Sequence, residues 1–340
     1  MDLSLFYAQY LLSDRERAQF NRAWLDHESV PDPILNRLHT RYSARVIRDH
    51  FAGIVSSCEQ LGIERVDLIE GSLPRERVEQ LADPPGALFL RGDAGLLRAT
   101  PSVGVVGTRR GTERGRRVAR GMGSGLGRAD VLVVSGMALG VDGASHEGCL
   151  DAGGNALAWL AGGVEMVAPP RHRGLYRRLH AHGLLASEYP PHTPVRKHYF
   201  VARNRLIAAW SDALVVVEAG ERSGTRSTVD FTLDLGRDLF CVPGPVDCPH
   251  STGTLRWIRD GATMVRSASD VLEDMGIGKL ELQAPTVLGL GSAPESTTSI
   301  ARRLGLGPGE VAATLARAQA RGEVERLAGD RWCAASALPR

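Results

Sequence analysis

Six short apolar runs recur between Val103 and Pro243: VGVV (103–106), DVLVVS (130–135), NALAWL (155–160), LLAS (184–187), DALVVV (212–217) and DLFCVP (238–243). Each is apolar at both odd and even positions. A strand with one wet face alternates; a strand that is apolar on both parities must be covered on both faces. Segments with helical patterning separate the runs. Strand, turn and helix repeated in this way predict a doubly wound α/β domain with a mostly parallel sheet from Val103 to about Met275.

The flanking segments read differently. Residues 1–80 carry helical patterns broken by SVPDP and GIERVDLIEGSLP, as in a small helical domain. The stretch ADPPGALFLRGDAGLLRATPS leads into the α/β region with prolines near both ends. After Gly278, LELQAPTVLGLGSAPE is loop-rich in parts. SIARRLGLGPGEVAATLARAQARGEVERLAGDRWCA then reads as two helices and two short strands around the turn AGD, the pattern of a winged helix. The expected domains are therefore 1–80, 81–278 and 279–340.

Open parallel sheets bind ligands beyond the carboxyl ends of their strands. The segments after these strands are rich in glycine: GTRRG (107–111), SGMALGVDGASH (135–146), AGG (161–163), EAGERSGT (218–225) and PGPVD (243–247). Glycine lets backbone N–H groups approach an anion closely, so this edge is suited to phosphate. A nucleotide cofactor fits it poorly. There is no G-x-x-x-x-G-K-[ST], the first loop is not G-x-G-x-x-G, and no acid ends the second strand where a ribose would be held. The glycines of GMGSGLG (121–127) fall inside the first helix and suit close helix packing instead. No cofactor is expected.

The net charge of +2 gives no general pull toward nucleic acid, so any basic site must be local. One local candidate is RKHYFVARNRLIA (196–208), where Arg196, Lys197, Arg203 and Arg205 alternate with Tyr199 and Phe200. Cations that neutralise phosphates, interleaved with aromatics that stack on bases, are the composition of a single-strand site. RHRGLYRRLHAHG (171–183) adds more positive charge upstream. Lysine occurs only at Lys197 and Lys279, which reflects a coding bias toward arginine. The five cysteines are scattered and odd in number, and Cys241, Cys248 and His250 match no familiar zinc spacing; structural thiols in a reducing compartment are expected, with no metal. No signal peptide and no run of 18 apolar residues is found, so a cytoplasmic protein without a membrane partner is expected.

Taken in order, VGVVGTR (103–109), VVSGMALGVDGASHEGCLDAGG (133–154), LLASEYPP (184–191), YFVARNRLIAAWSDALVVVEAGERSGT (199–225), GRDLFCVPGPVD (236–247) and STGTLRWIRDGATMV (251–265) resemble the DprA/Smf family of bacterial DNA-processing proteins. DPPGALFLRG (83–92) and the terminal winged helix also match, so the resemblance covers about 83–335. It implies an extended Rossmann-like core that binds single-stranded DNA in a basic pocket, without a catalytic reaction. It also implies a homodimer that protects incoming DNA and loads the RecA recombinase in natural transformation and recombination. The family's Gly-Ser-Arg loop corresponds to Gly107, Thr108 and Arg109, with Arg110 beside it, threonine keeping the hydroxyl. Its lysine and aromatic correspond to Lys197 and Phe200, its Arg-Asn-Arg to Arg203, Asn204 and Arg205, and its Ser-Gly-Ser/Thr turn to Ser223, Gly224 and Thr225.

Arg109 and Lys197 are expected on phosphates and Phe200 against bases. One of Arg203 and Arg205 is open to a structural role with Glu218 or Asp212, and Asp142, His146 and Glu188 read as polar framework. The first 80 residues resemble the family's sterile-alpha-motif-like domain only faintly. The winged helix sets Arg302, Arg303, Arg317 and Arg321 against Glu310, Glu323 and Glu325, leaving duplex binding, a protein contact and a vestigial role all open. Two rival functions remain. A LOG-type nucleotide phosphoribohydrolase would need P-G-G-x-G-T-x-x-E where this chain has EAGERSGTRST. A winged-helix regulator would bind specific duplexes.

Overall fold

The computed structural model describes residues 3–27, 32–68, 70–277, 290, 294–304, 307–320 and 324–334. It falls into two compact units, Met1–Val271 and Leu272–Arg340. Helices α1 (Leu3–Tyr7), α2 (Asp14–His27), α3 (Asp32–Arg41) and α4 (Ala44–Leu61) come first, then β1 (Glu64–Asp67), α5 (Arg75–Val78) and β2 (Ala87–Gly92). Strict alternation follows: β3 (Ser102–Val106), α6 (Glu113–Arg128), β4 (Leu132–Ser135), α7 (Val141–Asp151), β5 (Ala156–Trp159), α8 (Arg173–His182) and β6 (Leu184–Ser187). It continues with α9 (Lys197–Ala209), β7 (Ala213–Val216), α10 (Thr225–Asp234), β8 (Asp238–Cys241), α11 (Thr252–Arg259), β9 (Thr263–Met264) and α12 (Ala268–Asp274).

The nine strands form one sheet in the order β1-β2-β6-β5-β4-β3-β7-β8-β9. Every pair from β6 to β9 is parallel, while β1 and β2 add an antiparallel edge. The doubly wound α/β expectation holds for this sheet. Residues of β3 to β7 are buried throughout, as strands covered on both faces must be. The chain winds from β3 outward to β6, then returns through α9 to β7 on the other side of β3. The winding therefore reverses between β3 and β7, where crevices form in such sheets.

Three strands escape the sequence pattern. β1 buries only its last two residues, and both residues of β9 are exposed, so neither carries the double-parity signal. β2 is apolar enough, but its prolines mark it as a lead-in, and it pairs antiparallel with β6. The N-terminal helices dock on this added edge through aromatic contacts. The Tyr10 ring lies 5.9 Å from that of Phe89, and the Tyr7 hydroxyl donates to the buried Asp67 carboxylate at 2.9 Å.

On the other side of the sheet, α6 and α7 touch backbone to backbone. A methyl group at Gly123 would overlap the Ser145 carbonyl, and one at Gly148 would overlap the Arg120 carbonyl. Close packing is thus the role of Gly123 and Gly148, whereas Gly121 faces open space. The second unit contains β10 (Glu295–Ser296), α13 (Thr297–Leu304), α14 (Pro308–Ala320), β11 (Val324–Leu327) and β12 (Arg331–Ala334). Its strands form an antiparallel sheet in the order β10-β12-β11 over a core of Ile300, Val311, Leu315 and Trp332. The expected boundary at 278/279 lies outside the described residues. Among those described, no helix is long and apolar enough to cross a membrane.

Two glycines of α6 should respond oppositely to alanine. Gly123→Ala meets the Ser145 carbonyl and should lower the unfolding free energy by about 1–3 kcal/mol. Gly121→Ala meets nothing within 4 Å and should raise it by about 0.4–1 kcal/mol through helix propensity and chain entropy. Urea titration of both variants is the check.

Candidate functional site

Val106 and Val216 end β3 and β7 as register partners, and a cavity of about 430 Å³ opens beyond them. The loop after β3 is held across this crevice by Glu218. Its carbonyl accepts from the Thr108 N–H at 2.8 Å. Its carboxylate accepts from the Thr112 N–H at 2.9 Å and the Thr112 hydroxyl at 2.6 Å. The same hydroxyl accepts from the Gly115 N–H at 2.9 Å and caps α6. A side chain at Gly115 would overlap the Glu218 carboxylate, so the second half of GTRRGTERG is explained by this clamp.

The second wall is the start of α9. Lys197, Phe200, Val201, Asn204 and Ile207 all line the cavity, and their spacing of three and four places them on one helical face. The third wall is the start of α10. There the Ser223 hydroxyl accepts from the Thr225 N–H at 3.2 Å, and the Asn204 amide donates to the Ser227 hydroxyl at 2.9 Å.

Of the residues expected at the site, Gly107, Thr108, Arg109, Arg110, Lys197, Phe200, Arg203, Asn204, Ser223, Gly224 and Thr225 line this cavity. Arg205 does not. It is buried on the other side of α9, where it forms two hydrogen bonds to the Glu188 carboxylate at 2.8 and 2.7 Å and donates to the Asp83 carbonyl at 2.7 Å. It is the structural arginine of the pair, but its partner is Glu188 rather than Glu218 or Asp212. Asp212 instead pairs with Arg77 at 2.8 Å. The loops AGG and PGPVD do not reach the cavity. Arg222 does; it lies within EAGERSGT, where its charge was the available signal.

The charges sort by burial. Arg203 forms part of the floor and is almost wholly buried; its guanidinium donates to the carbonyls of Gly136, at 2.8 Å, and of Trp159. Burial pushes its pKa down to about 10, with Asp142 opposing the shift and Arg109 reinforcing it. Burial likewise pushes the Asp142 carboxyl up, against the pull of Arg203 and the Gly136 N–H. At the mouth, Arg109, Arg110, Lys197 and Arg222 are exposed and have no ion-pair partner among the described residues. The Arg109 guanidinium lies 4.3 Å from the centre of the half-buried Phe200 ring, in cation–π contact.

His146 was expected as a hydrogen-bonded framework residue. It is buried, but neither ring nitrogen has a hydrogen-bond partner among the described residues, and burial pushes its pKa down to about 3. Among the described residues no cluster of His, Cys, Asp and Glu is arranged to hold a metal ion.

The family model for DNA recombination-mediator protein A matches residues 69–276, more than half of the chain. The chain belongs to this family. It is the DprA/Smf family to which the motifs point. A putative DNA processing protein DprA of Mycobacterium tuberculosis is 43% identical over 211 residues, 62% of this chain and 54% of that one. The DNA processing protein DprA of Bacillus subtilis is 33% identical over 222 residues, 65% of this chain and 74% of that one. The chain thus spans about half the length of the mycobacterial relative. The X-ray structure of Streptococcus pneumoniae DprA superposes with a TM-score of 0.66 at 26% identity, over 80% of this chain and 95% of that one. A Helicobacter pylori DprA structure, described by its single-stranded DNA binding mode, gives 0.57 at 26% identity over 63% and 95%.

The Arg205–Glu188 pair gives a stability test. Burial raises the Glu188 carboxyl, but Arg205 outweighs it and holds the group below the usual carboxylate range. A depressed carboxylate stabilises the fold above its unfolded pKa of about 4.3 and loses that contribution as pH falls through its folded value. Arg205→Met should therefore lower the unfolding free energy by about 3–5 kcal/mol at pH 7. Adding Glu188→Leu should recover most of the loss, and the single-variant deficit should shrink at pH 3. Denaturant titrations at both pH values read all three.

Proposed function

We propose that this chain binds single-stranded DNA in the crevice between the ends of β3 and β7, as a member of a DNA-processing family. The observation that carries this reading is the ring of unpaired cations, Arg109, Arg110, Lys197 and Arg222, around the half-buried Phe200. A cofactor phosphate needs one anion site. Several uncompensated charges spread around an aromatic suit a polyanion whose bases stack while its phosphates are neutralised. In this reading Arg109 and Lys197 hold phosphates and Phe200 meets a base. Gly107, Thr108, Arg110, Ser223, Gly224 and Thr225 present backbone and hydroxyl donors, and Asn204 fixes the α9–α10 corner. Arg203 supplies charge from the floor. The H. pylori relative's description supports a single DNA strand as the ligand.

The chain reads as a binding protein rather than an enzyme, because the ionic groups beneath the crevice are held by backbone partners, Arg203 on the Gly136 and Trp159 carbonyls and Asp142 on the Gly136 N–H. We further propose that it acts as a homodimer, that it protects incoming DNA and loads RecA onto it, and that its second unit is a winged helix. The domain division 1–80, 81–278 and 279–340 belongs to the same proposal. In the second unit Arg303 already pairs with Glu295 at 3.0 Å, while Arg302 is exposed. The side chains of Glu310 and Arg317, and residues Arg321 and Glu323, lie outside the described residues.

Fluorescence anisotropy with labelled oligo-dT and a matching duplex tests the main reading. Single strands should bind in preference to duplex, and affinity should fall steeply with salt. Arg109→Ala and Lys197→Ala should each lower the salt slope on oligo-dT by about 0.7. Phe200→Leu should cost about 1–3 kcal/mol. Equal binding of duplex, or indifference to all three substitutions, would overturn it. For the partner, RecA filament growth on protein-coated single strands should quicken when the chain is added; unchanged growth would remove RecA from the proposal.

A further inference from the structure

The basic run RHRGLYRRLHAHG lies outside the cavity, yet the structure connects it to the cavity wall. Ala138 and Asp142 line the cavity from the loop after β4 and the start of α7. On the far side of that loop, the His172 ring nitrogen Nδ1 is 3.0 Å from the Met137 carbonyl, and the ring packs against Gly143. Arg171 and Arg173 flank this contact and are exposed. Arg177, one turn further along α8, is exposed as well. Because α8 connects β5 to β6, it starts at the carboxyl edge of the sheet, where the cavity opens, and runs away from it.

These arginines have no ion-pair partner among the described residues. On α7, the helix against which α8 packs, Asp142 is buried beneath the cavity and the two remaining carboxylates are already taken. Glu147 pairs with Arg120, and Asp151 pairs with Arg120 at 3.0 Å and Arg178 at 2.7 Å. Residues 171–183 contain no acid, and Arg173 and Arg177 face each other at i and i+4, a like-charge arrangement that destabilises a helix. A bound polyanion would relieve that repulsion.

Resting on the function proposed above, we infer that the exposed face running from Arg171 through Arg173 to Arg177 is an exit track for the DNA strand. It takes the backbone of nucleotides that have left the cavity past Ala138. Arg173 and Arg177 are separated by about 6 Å along the helix axis. That spacing lets the two flexible guanidinium arms reach neighbouring phosphates of one strand. The track carries no aromatic on its exposed face, so it engages phosphates and reads no bases. A duplex is a poorer occupant, since the track continues from a crevice suited to a single strand.

The test compares dT6 with dT25 on the full chain, using wild type, Arg171→Gln/Arg173→Gln/Arg177→Gln and Arg109→Ala. The triple variant should bind dT6 within twofold of wild type and dT25 at least tenfold more weakly. Its salt slope on dT25 should fall by about 2, at about 0.7 for each phosphate no longer neutralised. Thermal unfolding identical to wild type would show that the substitutions leave the fold intact; the charge-reversed pair Arg173→Glu/Arg177→Glu should deepen the loss on dT25. Unchanged dT25 binding, or equal losses on both lengths, would overturn the track. If Arg109→Ala leaves dT6 untouched while the triple variant still loses dT25, the cavity reading falls and the basic face stands alone.

Discussion

The site depends on one acidic side chain among basic ones. Glu218 stands at the end of β7 and receives three hydrogen bonds from the loop after β3, two of them on its carboxylate. Hydrogen bonds to a charged acceptor contribute about 1.5–3 kcal/mol each. They join two strands whose onward connections leave for opposite faces of the sheet. Such a junction would otherwise gape. With the clamp in place, Arg109 and Arg110 project from a loop whose backbone is already ordered, so a ligand does not have to supply that ordering.

The arginines of the α9 motif show how one residue type can serve opposite ends. Arg203 and Arg205 are two positions apart in a helix, and therefore on nearly opposite faces. One reaches the crevice floor, the other the Glu188 carboxylate. Both are buried with their donors engaged, which fixes α9 against the sheet on both sides. The exposed cations at the mouth have no ion-pair partner among the described residues, and their charge remains available.

Much of this architecture was legible in the letters. Double-parity apolar runs located the parallel strands, because burial on both faces leaves a local mark. The loops that line the crevice could be found because strand ends are local too, and their convergence follows from the topology of open sheets. The partner of Arg205 was not legible. Glu188 is 17 residues away in sequence, on a segment with no pattern that points to it. Nor were the outer strands, β1 and β2 at one edge of the sheet and β9 at the other, where too few buried residues or an antiparallel partner erase the periodic signal. The clamp was hidden for a related reason: Thr112 and Glu218 are 106 residues apart, and only the fold brings them into contact.

The contact between Arg109 and Phe200 has a consequence for the kind of ligand the crevice will accept. With the guanidinium lying over the ring, one aromatic face is already covered. On the proposed function, a base can settle on that face only by displacing the cation, and the displaced cation is then free to meet the phosphate attached to the same nucleotide. Stacking and charge neutralisation become parts of a single exchange. A simple inorganic anion leaves the ring unused, and an uncharged aromatic must give up the cation–π contact without gaining a phosphate. The pair thus works as a logical conjunction, favouring ligands that carry a flat ring and a negative charge within one residue's reach.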